Sequence, residues 1–345
     1  MRIAILTGSF YPNIGGMEIL CEVLANEFVA AGHDVLVLTD TPSRQEDNDR
    51  FSFRVYRGQT FARRLFLFRS SDIILSFALS LRRCPEQLLS FRPIMIHHPN
   101  PITAADGSTR LLDRAKHLLS SRLVNIVPSR YMSSKIAHSI IIPNPYNHRL
   151  FEYRGQEKRR EVLFVGRLAA VKGVDILLRA ISLAFRSVPP FHSTFVGEGP
   201  EREKYLQLAT TLGIADYVHF SGPKRGIELV DIMCRHQIMV VPSSYEEPFG
   251  IVALEGLACR CTMIVSNSGG LVDAVGPHAL VFENRNFEEL ARCLVLALTQ
   301  HSVRDQLLKG LEEHLLLHRA DQIASEYIAV LRKMVASPTG SATPA

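Results

Sequence analysis

Two glutamates lie close together in SYEEPFGIVALEGLA, the stretch that spans residues 244–258. Glu247 belongs to a loop-like EEPFG segment, and Glu255 follows after seven intervening residues in an apolar run typical of a helix. A carboxylate among apolar side chains needs hydrogen-bond donors, because an unpaired buried charge is costly. Hydroxyl groups of a bound sugar or ribose are suitable donors. A structural pair with an arginine or lysine is the alternative.

Two cations follow a strand-like run in VGRLAAVKGVDILL, residues 165–178. Arg167 ends the run, and Lys172 stands just before Gly173 and a predicted helix. Cations are disfavoured at helix N-termini, so a merely solvated pair is the weaker interpretation. Two fixed cations at this place suit a diphosphate, whose negative charge needs neutralisation as it leaves.

A third junction of this kind lies in TGSFYPNIGGMEIL, residues 7–20, where Gly15 and Gly16 end a loop and open a helix. Paired glycines let backbone N–H groups approach an anion, and the helix N-terminus adds partial positive charge. The spacing is not G-x-G-x-x-G, and a plain tight turn is the alternative.

Strand-like and helix-like segments alternate along the whole chain, which predicts an α/β protein with parallel sheets covered on both faces. A polar linker, NPYNHRLFEYRGQEKRREV, separates two doubly wound, Rossmann-like domains predicted at residues 1–150 and 155–318. A last amphipathic helix is predicted at residues 319–336, before a disordered tail at 337–345. Ligands bind beyond the carboxyl ends of such strands, so two facing domains should form a cleft.

The composition is that of a globular chain able to bury two cores, with 345 residues of which 47% are apolar. No membrane span is predicted, because the most suspicious run is interrupted by charges, and no signal peptide is predicted, because the apolar stretch at the N-terminus is too short. Six scattered cysteines without a C-x-x-C pair indicate reduced thiols. A cytoplasmic protein is therefore expected.

Positive charge is concentrated in residues 50–83, which hold eight arginines and one acid, Asp72. This segment is either a solvated face or a surface for an anionic partner. Nucleic-acid motifs are absent from the sequence, so no nucleic-acid partner is expected. An anionic membrane surface at the inner face of the cell membrane is the favoured partner.

Together these stretches resemble the retaining family 4 glycosyltransferases of the GT-B fold, strongly over residues 161–285 and more loosely before. EEPFGIVALE resembles the E-x7-E motif of that family, VGRLAAVKG its G-R-x4-K-G segment, and FYPNIGG its P-x-x-G-G loop. IIPNPYNHRLF resembles the interdomain segment, and the last helix resembles the one that crosses back onto the first domain. Arg260 is a departure, because the family usually has glycine there.

The resemblance implies a nucleotide-sugar donor held by the second domain. Arg167 and Lys172 would hold the diphosphate, Glu255 the ribose hydroxyls, and Glu247 the hydroxyls of the transferred sugar. On this interpretation both glutamates bind hydroxyls rather than ion-pair partners. The remaining implied contacts are backbone N–H groups around Phe249, Gly250 and Ile251, the Gly15–Gly16 turn near the phosphates, and Pro223 and Lys224 beside the base.

A pair of histidines in RPIMIHHPNP falls where the family often carries a histidine near the reacting sugar. Successive residues of a strand face opposite ways, so only one of His97 and His98 is expected to face the ligand, and the sequence does not decide which. A core or metal-binding histidine is the alternative.

The implied reaction moves a hexosyl group from a nucleoside-diphosphate sugar to a glycan, glycolipid or small-molecule hydroxyl, with retention and in bacterial cell-surface polysaccharide synthesis. No metal or other cofactor is expected, since protein cations and helix N-termini would neutralise the diphosphate. Two alternatives remain open: a hydrolase or epimerase acting on nucleotide sugars, and a non-catalytic nucleotide-sugar binding protein of the same fold.

Overall fold

The computed structural model describes residues 1–13, 15–102 and 111–336. The chain divides into two compact units, the first made of residues 1–145 with the segment from Ala320, and the second of residues 146–319. The boundary between the units falls after residue 145, whereas the sequence predicts domains that end at 150 and begin at 155. It comes earlier because Tyr146 and Phe151 are buried in the core of the second unit. The tail expected at 337–345 lies outside the described residues.

Strands occupy the positions where short apolar runs are bounded by Gly, Pro, Asn or Ser. Along the described residues they are β1 (Arg2–Thr7), β2 (Asp34–Thr39), β3 (Arg54–Arg57), β4 (Ile73–Phe77), β5 (Ile94–His97), β6 (Val124–Val127), β7 (Ser139–Ile141), β8 (Arg159–Val165), β9 (Ser193–Val196), β10 (Val218–Gly222), β11 (His236–Val241), β12 (Thr262–Ser266) and β13 (Ala279–Phe282).

Helices fill the intervals between the strands and close each unit. Along the described residues they are α1 (Gly16–Ala30), α2 (Phe61–Arg69), α3 (Cys84–Leu88), α4 (Leu111–Ser120), α5 (Arg130–Lys135), α6 (Val174–Ala184), α7 (Arg202–Thr211), α8 (Gly226–Arg235), α9 (Ile251–Ala258), α10 (Leu271–Val275), α11 (Phe287–Thr299), α12 (His301–Leu308), α13 (Leu311–Leu317) and α14 (Ala320–Ala336).

The sheet of the first unit has the order β3-β2-β1-β4-β5-β6-β7, with parallel pairing throughout. Alternate residues of β1 serve opposite cores, as the two-residue period of a strand requires. Ile3 and Ile5 pack in the cluster that contains α1 and α14, whereas Ala4 and Leu6 pack in the cluster that contains α2. Both faces are therefore buried, and α14 belongs to this unit through Tyr327 and its neighbours.

The sheet of the second unit has the order β10-β9-β8-β11-β12-β13 and is also parallel. Phe164 of β8 faces the core formed with α6, α7 and α11, and Leu163 faces the core formed with α8, α9 and α10. The direction of winding reverses between β8 and β11, as it does between β1 and β4 in the first unit. Such a reversal leaves a crevice outside the carboxyl ends of the two strands.

One strand, β3, was not expected from the sequence. Its sequence is RVYR, it has four residues, and it pairs only with β2 at the edge of its sheet. An edge strand needs no continuous apolar run, so the usual signal is absent.

The ends of the second unit meet. The N–H of Tyr146 donates to the carbonyl of His318 at 3.1 Å, and Tyr146 forms a parallel bridge with Arg319. This unit is thus one continuous segment of chain whose first and last residues are adjacent.

Two expectations from composition concern the thiols and the membrane. The six cysteines are free, and five of them are buried. Within the described ranges, every helix is too short or too polar to cross a bilayer.

Candidate functional site

The crevice between β8 and β11 brings two predicted junctions together. Lys172 follows β8 in a short 3-10 helix, Ala170–Lys172, and Glu247 lies in the loop after β11. The two loops touch, since the N–H of Ser244 donates to the carbonyl of Val171 at 2.9 Å. The topology alone therefore explains why residues 75 positions apart can meet at one edge of the sheet.

Glu247 is the centre of a cluster of polar side chains. Its Oε1 accepts hydrogen bonds from Lys172 Nζ and from the Ser243 hydroxyl, both at 2.6 Å, and its Oε2 accepts one from the Tyr245 hydroxyl at 2.6 Å. Lys172 Nζ also lies 4.9 Å from the centroid of the Tyr245 ring. We call these four residues, Lys172, Ser243, Tyr245 and Glu247, the Glu247 cluster.

Burial governs the chemistry of the Glu247 cluster. The Glu247 side chain is only 10% exposed and that of Lys172 is 27% exposed, so their attraction is weakly screened. Burial, and then the neighbouring Glu247 carboxylate, raise the pKa of Tyr245, so its hydroxyl stays protonated and donates.

Glycines let the loops of this cluster approach one another. Gly173 has φ 68°, and a Cβ there would stand 1.9 Å from the carbonyl oxygen of Pro242. Gly269 has φ 62°, and a Cβ there would stand 2.3 Å from the carbonyl oxygen of Glu247. A side chain at either position would push apart the backbone segments that hold Lys172 and Glu247.

The expectation that both glutamates avoid ion pairs is wrong for Glu247, which pairs with Lys172. The pair forms because the sheet topology, which spacing does not reveal, joins the two loops. Ser243 and Tyr245 were missed altogether. No spacing rule would have found them, because the chain bends at Ser244 and Tyr245 and does not continue as an extended strand after β11.

Glu255 has a different environment. It lies on α9, its side chain is half-buried, and within the described residues it has no hydrogen-bond or ion-pair partner. Burial, uncompensated by any cation, raises the pKa of this carboxyl to about 7. Such a group gains most from a ligand that donates a hydrogen bond to it.

The N-terminus of α9 lies between these two glutamates. Gly250 caps the helix with φ 99°, and a Cβ there would stand 2.4 Å from Leu271 Cδ2. In the described part of the chain, the N–H groups of Phe249, Gly250 and Ile251 donate to no other group. The Phe249 side chain is buried and stacks on His318 with ring centroids 6.0 Å apart. The backbone here is therefore free to bind an oxygen atom of a ligand.

Arg167 lies two residues after β8 and is exposed, and its guanidinium contacts no carboxylate in the described ranges. Pro223 and Lys224 follow β10, and Lys224 Nζ pairs with Glu228 Oε1 at 2.5 Å on α8. Since β9 lies between β8 and β10, these residues occupy the far side of the same sheet edge.

The glycine pair of the first unit opens α1 as predicted, with Gly15 as the N-cap in extended conformation. One neighbour was not foreseen: the Glu18 carboxylate lies 2.6 Å from where a Gly15 Cβ would stand. A carboxylate in the first turn already complements the helix dipole. Any phosphate bound at Gly15 and Gly16 must displace or neighbour that acid.

Both candidate histidines are buried within the first unit. His97 Nδ1 lies 2.8 Å from the Tyr327 hydroxyl, and burial followed by the charge of His98 lowers the pKa of His97 to about 3. His98 Nε2 lies 2.8 Å from Asn125 Oδ1, and burial lowers its pKa too. Within the described ranges, neither belongs to a group able to hold a metal ion. A catalytic role for either stays a prediction.

Arg260 takes the place of the expected glycine and adopts the left-handed conformation, with φ 59°. It follows the last turn of α9, where Arg260 N donates to Leu257 O and Cys261 N to Gly256 O. The guanidinium forms an ion pair with Glu312. The turn is thus intact without glycine. The cost of having arginine there is a less favourable backbone conformation.

Comparisons with known proteins bear on both units. Residues 149–312 match the model of the family "Glycosyl transferases group 1". A D-inositol 3-phosphate glycosyltransferase of Acidothermus cellulolyticus is 33% identical over 193 residues, which are 53% of this chain and 43% of the relative. The uncharacterized glycosyltransferase MJ1607 of Methanocaldococcus jannaschii is 26% identical over 80% of this chain and 83% of its own length.

Among solved structures, Anabaena Alr3699/HepE, crystallised with UDP and glucose and also with UDP-glucose, has a TM-score of 0.81 in each case. In the complex with UDP and glucose it is 17% identical, over 96% of this chain and 100% of that one. The chain spans less than half the length of the first curated relative. Residues 149–312 thus match the model of the group 1 glycosyl transferases, and the chain has the GT-B fold.

Proposed function

We propose that this protein is a metal-independent, retaining glycosyltransferase that takes a hexosyl group from a nucleoside-diphosphate sugar. The observation that carries the proposal is the Glu247 cluster beside an unpartnered Glu255 at the β8–β11 crevice. Two carboxylates, two cations (Lys172 and Arg167) and the free N–H groups at the start of α9 all belong to the segments that follow β8 and β11. That set matches hydroxyls, ribose and diphosphate in one ligand.

Lys172 can serve the diphosphate without leaving Glu247. An ammonium group has three N–H donors, and the hydrogen bond to Glu247 Oε1 uses one of them. The remaining donors and the exposed Arg167 guanidinium neutralise the two charges that develop on the departing nucleoside diphosphate. Glu247, held by Ser243 and Tyr245, is fixed in one orientation toward the sugar hydroxyls.

Retention follows from a front-face substitution. The bond between the anomeric carbon and the diphosphate oxygen breaks, and the acceptor hydroxyl attacks the same face. Its proton passes to the leaving diphosphate oxygen, so atoms and charge balance without a covalent enzyme intermediate. The chain's own contribution is to hold the donor and stabilise the leaving charge.

A glycan, glycolipid or small-molecule hydroxyl accepts the sugar in this proposal, with bacterial cell-surface polysaccharide synthesis as the setting. The family resemblance supports the setting. UDP-glucose, which HepE binds, is the first nucleotide sugar to test. We place the protein in the cytoplasm.

A donor panel tests the activity. UDP-, GDP- and dTDP-sugars are screened by thermal shift, and the stabilising ones by release of free nucleotide with and without acceptor. Acceptor-dependent release supports a transferase. Release that is equal without acceptor indicates a hydrolase, and stabilisation with no release indicates a binding protein; either result contradicts the proposal.

Metal independence has its own test. Turnover measured in excess EDTA is expected to equal turnover in untreated enzyme, since Lys172 and Arg167 supply the positive charge. Complete loss of activity, restored by Mg²⁺ or Mn²⁺, would contradict this part of the proposal.

We further propose that the protein docks reversibly on anionic lipid through part of residues 50–83. Only some of the arginines of this segment are available to lipid, because most of them pair with other groups of the protein. Arg50, Arg54, Arg64 and Arg83 pair with carboxylates, and Arg57 donates to two backbone carbonyls and the Asn48 side chain.

The arginines left for lipid are Arg63, Arg69 and Arg82, which are exposed and pair with no carboxylate in the described residues. Arg63 and Arg69 lie on α2 beside exposed apolar side chains. Phe66 is 59% exposed under the Arg63 guanidinium, and Phe91 is 81% exposed after α3. Arg69 donates to the carbonyl of Leu89, which ties the two helices into one patch.

Interleaved arginines and exposed aromatic residues suit the interface of an acidic bilayer, where each arginine contributes about 1 kcal/mol. We expect co-sedimentation with vesicles rich in acidic phospholipid, lost at high salt because screening shortens the reach of charge. Phe66→Ser with Arg63→Ala should abolish it, whereas Arg54→Ala, which alters an arginine paired with Asp34, should not. Equal recovery on neutral and acidic vesicles at low salt would contradict the docking proposal and leave the transferase proposal standing.

A further inference from the structure

A cavity of about 440 Å³ lies in the second unit, and Ala170, the first residue of the Ala170–Lys172 turn, is part of its wall. Its wall is formed by α6, α7 and the first residue of α11, together with residues that follow β8, β11 and β13. The proposed donor contacts, Arg167, Lys172, Glu247 and Glu255, are not part of that wall. The cavity is therefore a separate place for a ligand.

The wall of this cavity is cationic. Arg179 of α6, Lys204 of α7 and Arg285 after β13 face one acid, Asp175. Arg179 and Arg285 are exposed, and neither guanidinium has a hydrogen-bond or ion-pair partner in the described ranges. Lys204 pairs with Glu201 at 2.9 Å but keeps further N–H donors. The wall thus holds three cations and one acid, and two of the cations have no acidic partner in the described part of the chain, which are surroundings that suit a bound phosphate or carboxylate.

A buried hydroxyl in the same wall lacks a partner. Tyr205 is 1% exposed, and its hydroxyl makes no hydrogen bond within the described residues. Buried polar groups are nearly always satisfied, so an orphaned hydroxyl beside a cavity indicates a missing ligand atom or an ordered water. Burial and then the nearby Asp175 raise the pKa of Tyr205 to about 12, so it is a hydroxyl donor at neutral pH.

The wall also favours more than an inorganic anion. Ile176 and Phe287 add apolar surface, while Asp175 and the Tyr205 hydroxyl can bind hydroxyl groups. The volume exceeds that of a phosphate ion several-fold. Cations for a phosphate, polar groups for hydroxyls and apolar surface for a ring together describe a phosphorylated sugar.

Two backbone segments that line the cavity also carry residues of the Glu247 cluster. Ala170 and Ser244 both line the cavity. Ala170 begins the turn that ends at Lys172, and Ser244 stands between Ser243 and Tyr245, two members of the cluster. The Ser244 N–H bond to Val171 joins the two segments. A ligand that orders this turn would fix the position of Lys172.

We propose that this cavity binds a hexose monophosphate, and that its occupancy changes the rate at the Glu247 cluster. The binding half stands apart from the proposed transferase activity, whereas the rate half rests on it.

Calorimetry on the full chain tests the binding half, with glucose 6-phosphate, inorganic phosphate and glucose as separate titrants and no nucleotide present. We expect binding of glucose 6-phosphate at least tenfold tighter than of either fragment. Arg179→Ala with Arg285→Ala should weaken it at least tenfold, and Tyr205→Phe several-fold. The matched control, Arg186→Ala with Arg292→Ala, removes the same charge outside this wall and should bind like the wild type.

Three results would overturn the binding half: no glucose 6-phosphate binding at millimolar concentration, equal binding by the two double variants, or phosphate binding as tight as the sugar phosphate.

The rate half is tested by nucleotide release with saturating glucose 6-phosphate. A rate change of twofold or more in the wild type and control, absent from the Arg179–Arg285 variant, supports it. Binding without any rate change refutes coupling alone, and absence of nucleotide release under every condition refutes the transferase proposal while leaving the calorimetry valid.

Discussion

Glu247 and Glu255 belong to one short stretch of chain, yet the protein treats them in opposite ways. Glu247, in the loop after β11, accepts from a lysine and two hydroxyls, and no carboxylate oxygen is left without a partner. Glu255, on α9, is half-buried with no partner in the described residues and has its pKa raised to about 7. The first carboxylate is positioned by the fold before any ligand arrives. The second depends on a ligand to satisfy it.

The largest effect should come from the two cations that follow β8, Lys172 and Arg167. Lys172→Ala and Arg167→Ala are each expected to lower turnover about 100-fold, because each removes roughly 2–4 kcal/mol of stabilisation from the leaving diphosphate. Steady-state nucleotide release measures this.

The same two variants should differ in free energy of unfolding, which denaturation measures. Lys172→Ala should also cost about 1–2 kcal/mol in free energy of unfolding, since it leaves Glu247 buried with one bond fewer. Arg167 has no partner in the described chain, so Arg167→Ala should leave stability unchanged. Near-wild-type turnover in both variants would refute the diphosphate assignment.

Glu255→Gln should weaken nucleotide binding about tenfold, because a hydrogen bond from ribose to a charged acceptor becomes one to a neutral amide. Glu247→Gln should act mainly on turnover, since its contacts bear on the reacting sugar. Nucleotide affinity by calorimetry and turnover by nucleotide release distinguish them. A rise in the Michaelis constant alone, of equal size in both variants, would contradict the separate roles.

The pH dependence of stability sharpens the contrast further. The folded-state pKa of Glu255, about 7, lies above its ordinary value of 4.5, so the folded state holds the proton more tightly. The resulting stabilisation is complete below pH 4.5 and is lost as pH rises through 7, by at most about 3 kcal/mol at 1.36 kcal/mol per pH unit. Glu255→Gln should lack this loss and be more stable than the wild type at pH 8. Urea denaturation measures the free energy of unfolding of both proteins from pH 4 to 8. If the two values change with pH in the same way, the raised pKa of Glu255 is contradicted.

Tyr245→Phe tests how firmly Glu247 is held. It removes one of three hydrogen bonds to the carboxylate and keeps the ring near Lys172. We expect a loss of about 1 kcal/mol in stability and up to tenfold in turnover. Unchanged turnover with reduced stability would mean that orientation of Glu247 is not limiting.

The smallest effect should follow Arg260→Gly. Glycine removes the strain of the left-handed conformation, which costs about 1–2 kcal/mol for other residues. Against this, the variant loses the ion pair with Glu312, and glycine raises the conformational entropy of the unfolded chain. The net change in stability should stay within about 1 kcal/mol, with turnover unchanged. A large loss of activity would show that the departure from glycine has a catalytic purpose.

The sequence was informative where local patterns decide structure. Apolar runs located the strands of both sheets except β3, whose edge position requires no such run. Spacing also identified Lys172, Glu247 and Glu255 as the side chains of interest, because each stands at a strand-to-helix junction or on the helix that follows.

What spacing could not supply was the partner of each group. The Lys172–Glu247 pair joins residues on different strands and depends on β8 lying beside β11. The carboxylate of Glu18 over Gly15 and the histidine contacts to Tyr327 and Asn125 are likewise products of packing. Charge composition alone could not separate the arginines of residues 50–83 that pair within the fold from those that stay exposed, because that division depends on packing.

The order of the chain has a consequence for biosynthesis. The second unit is one continuous segment whose ends, Tyr146 and Arg319, are adjacent, so every part of it has left the ribosome before α14 has. The first unit starts earlier and finishes later, because its core includes α14. Until those last residues emerge, one face of its sheet exposes the apolar surface that Tyr327 and Leu331 later cover. A chain truncated before α14 would thus carry a folded second unit attached to an aggregation-prone first unit.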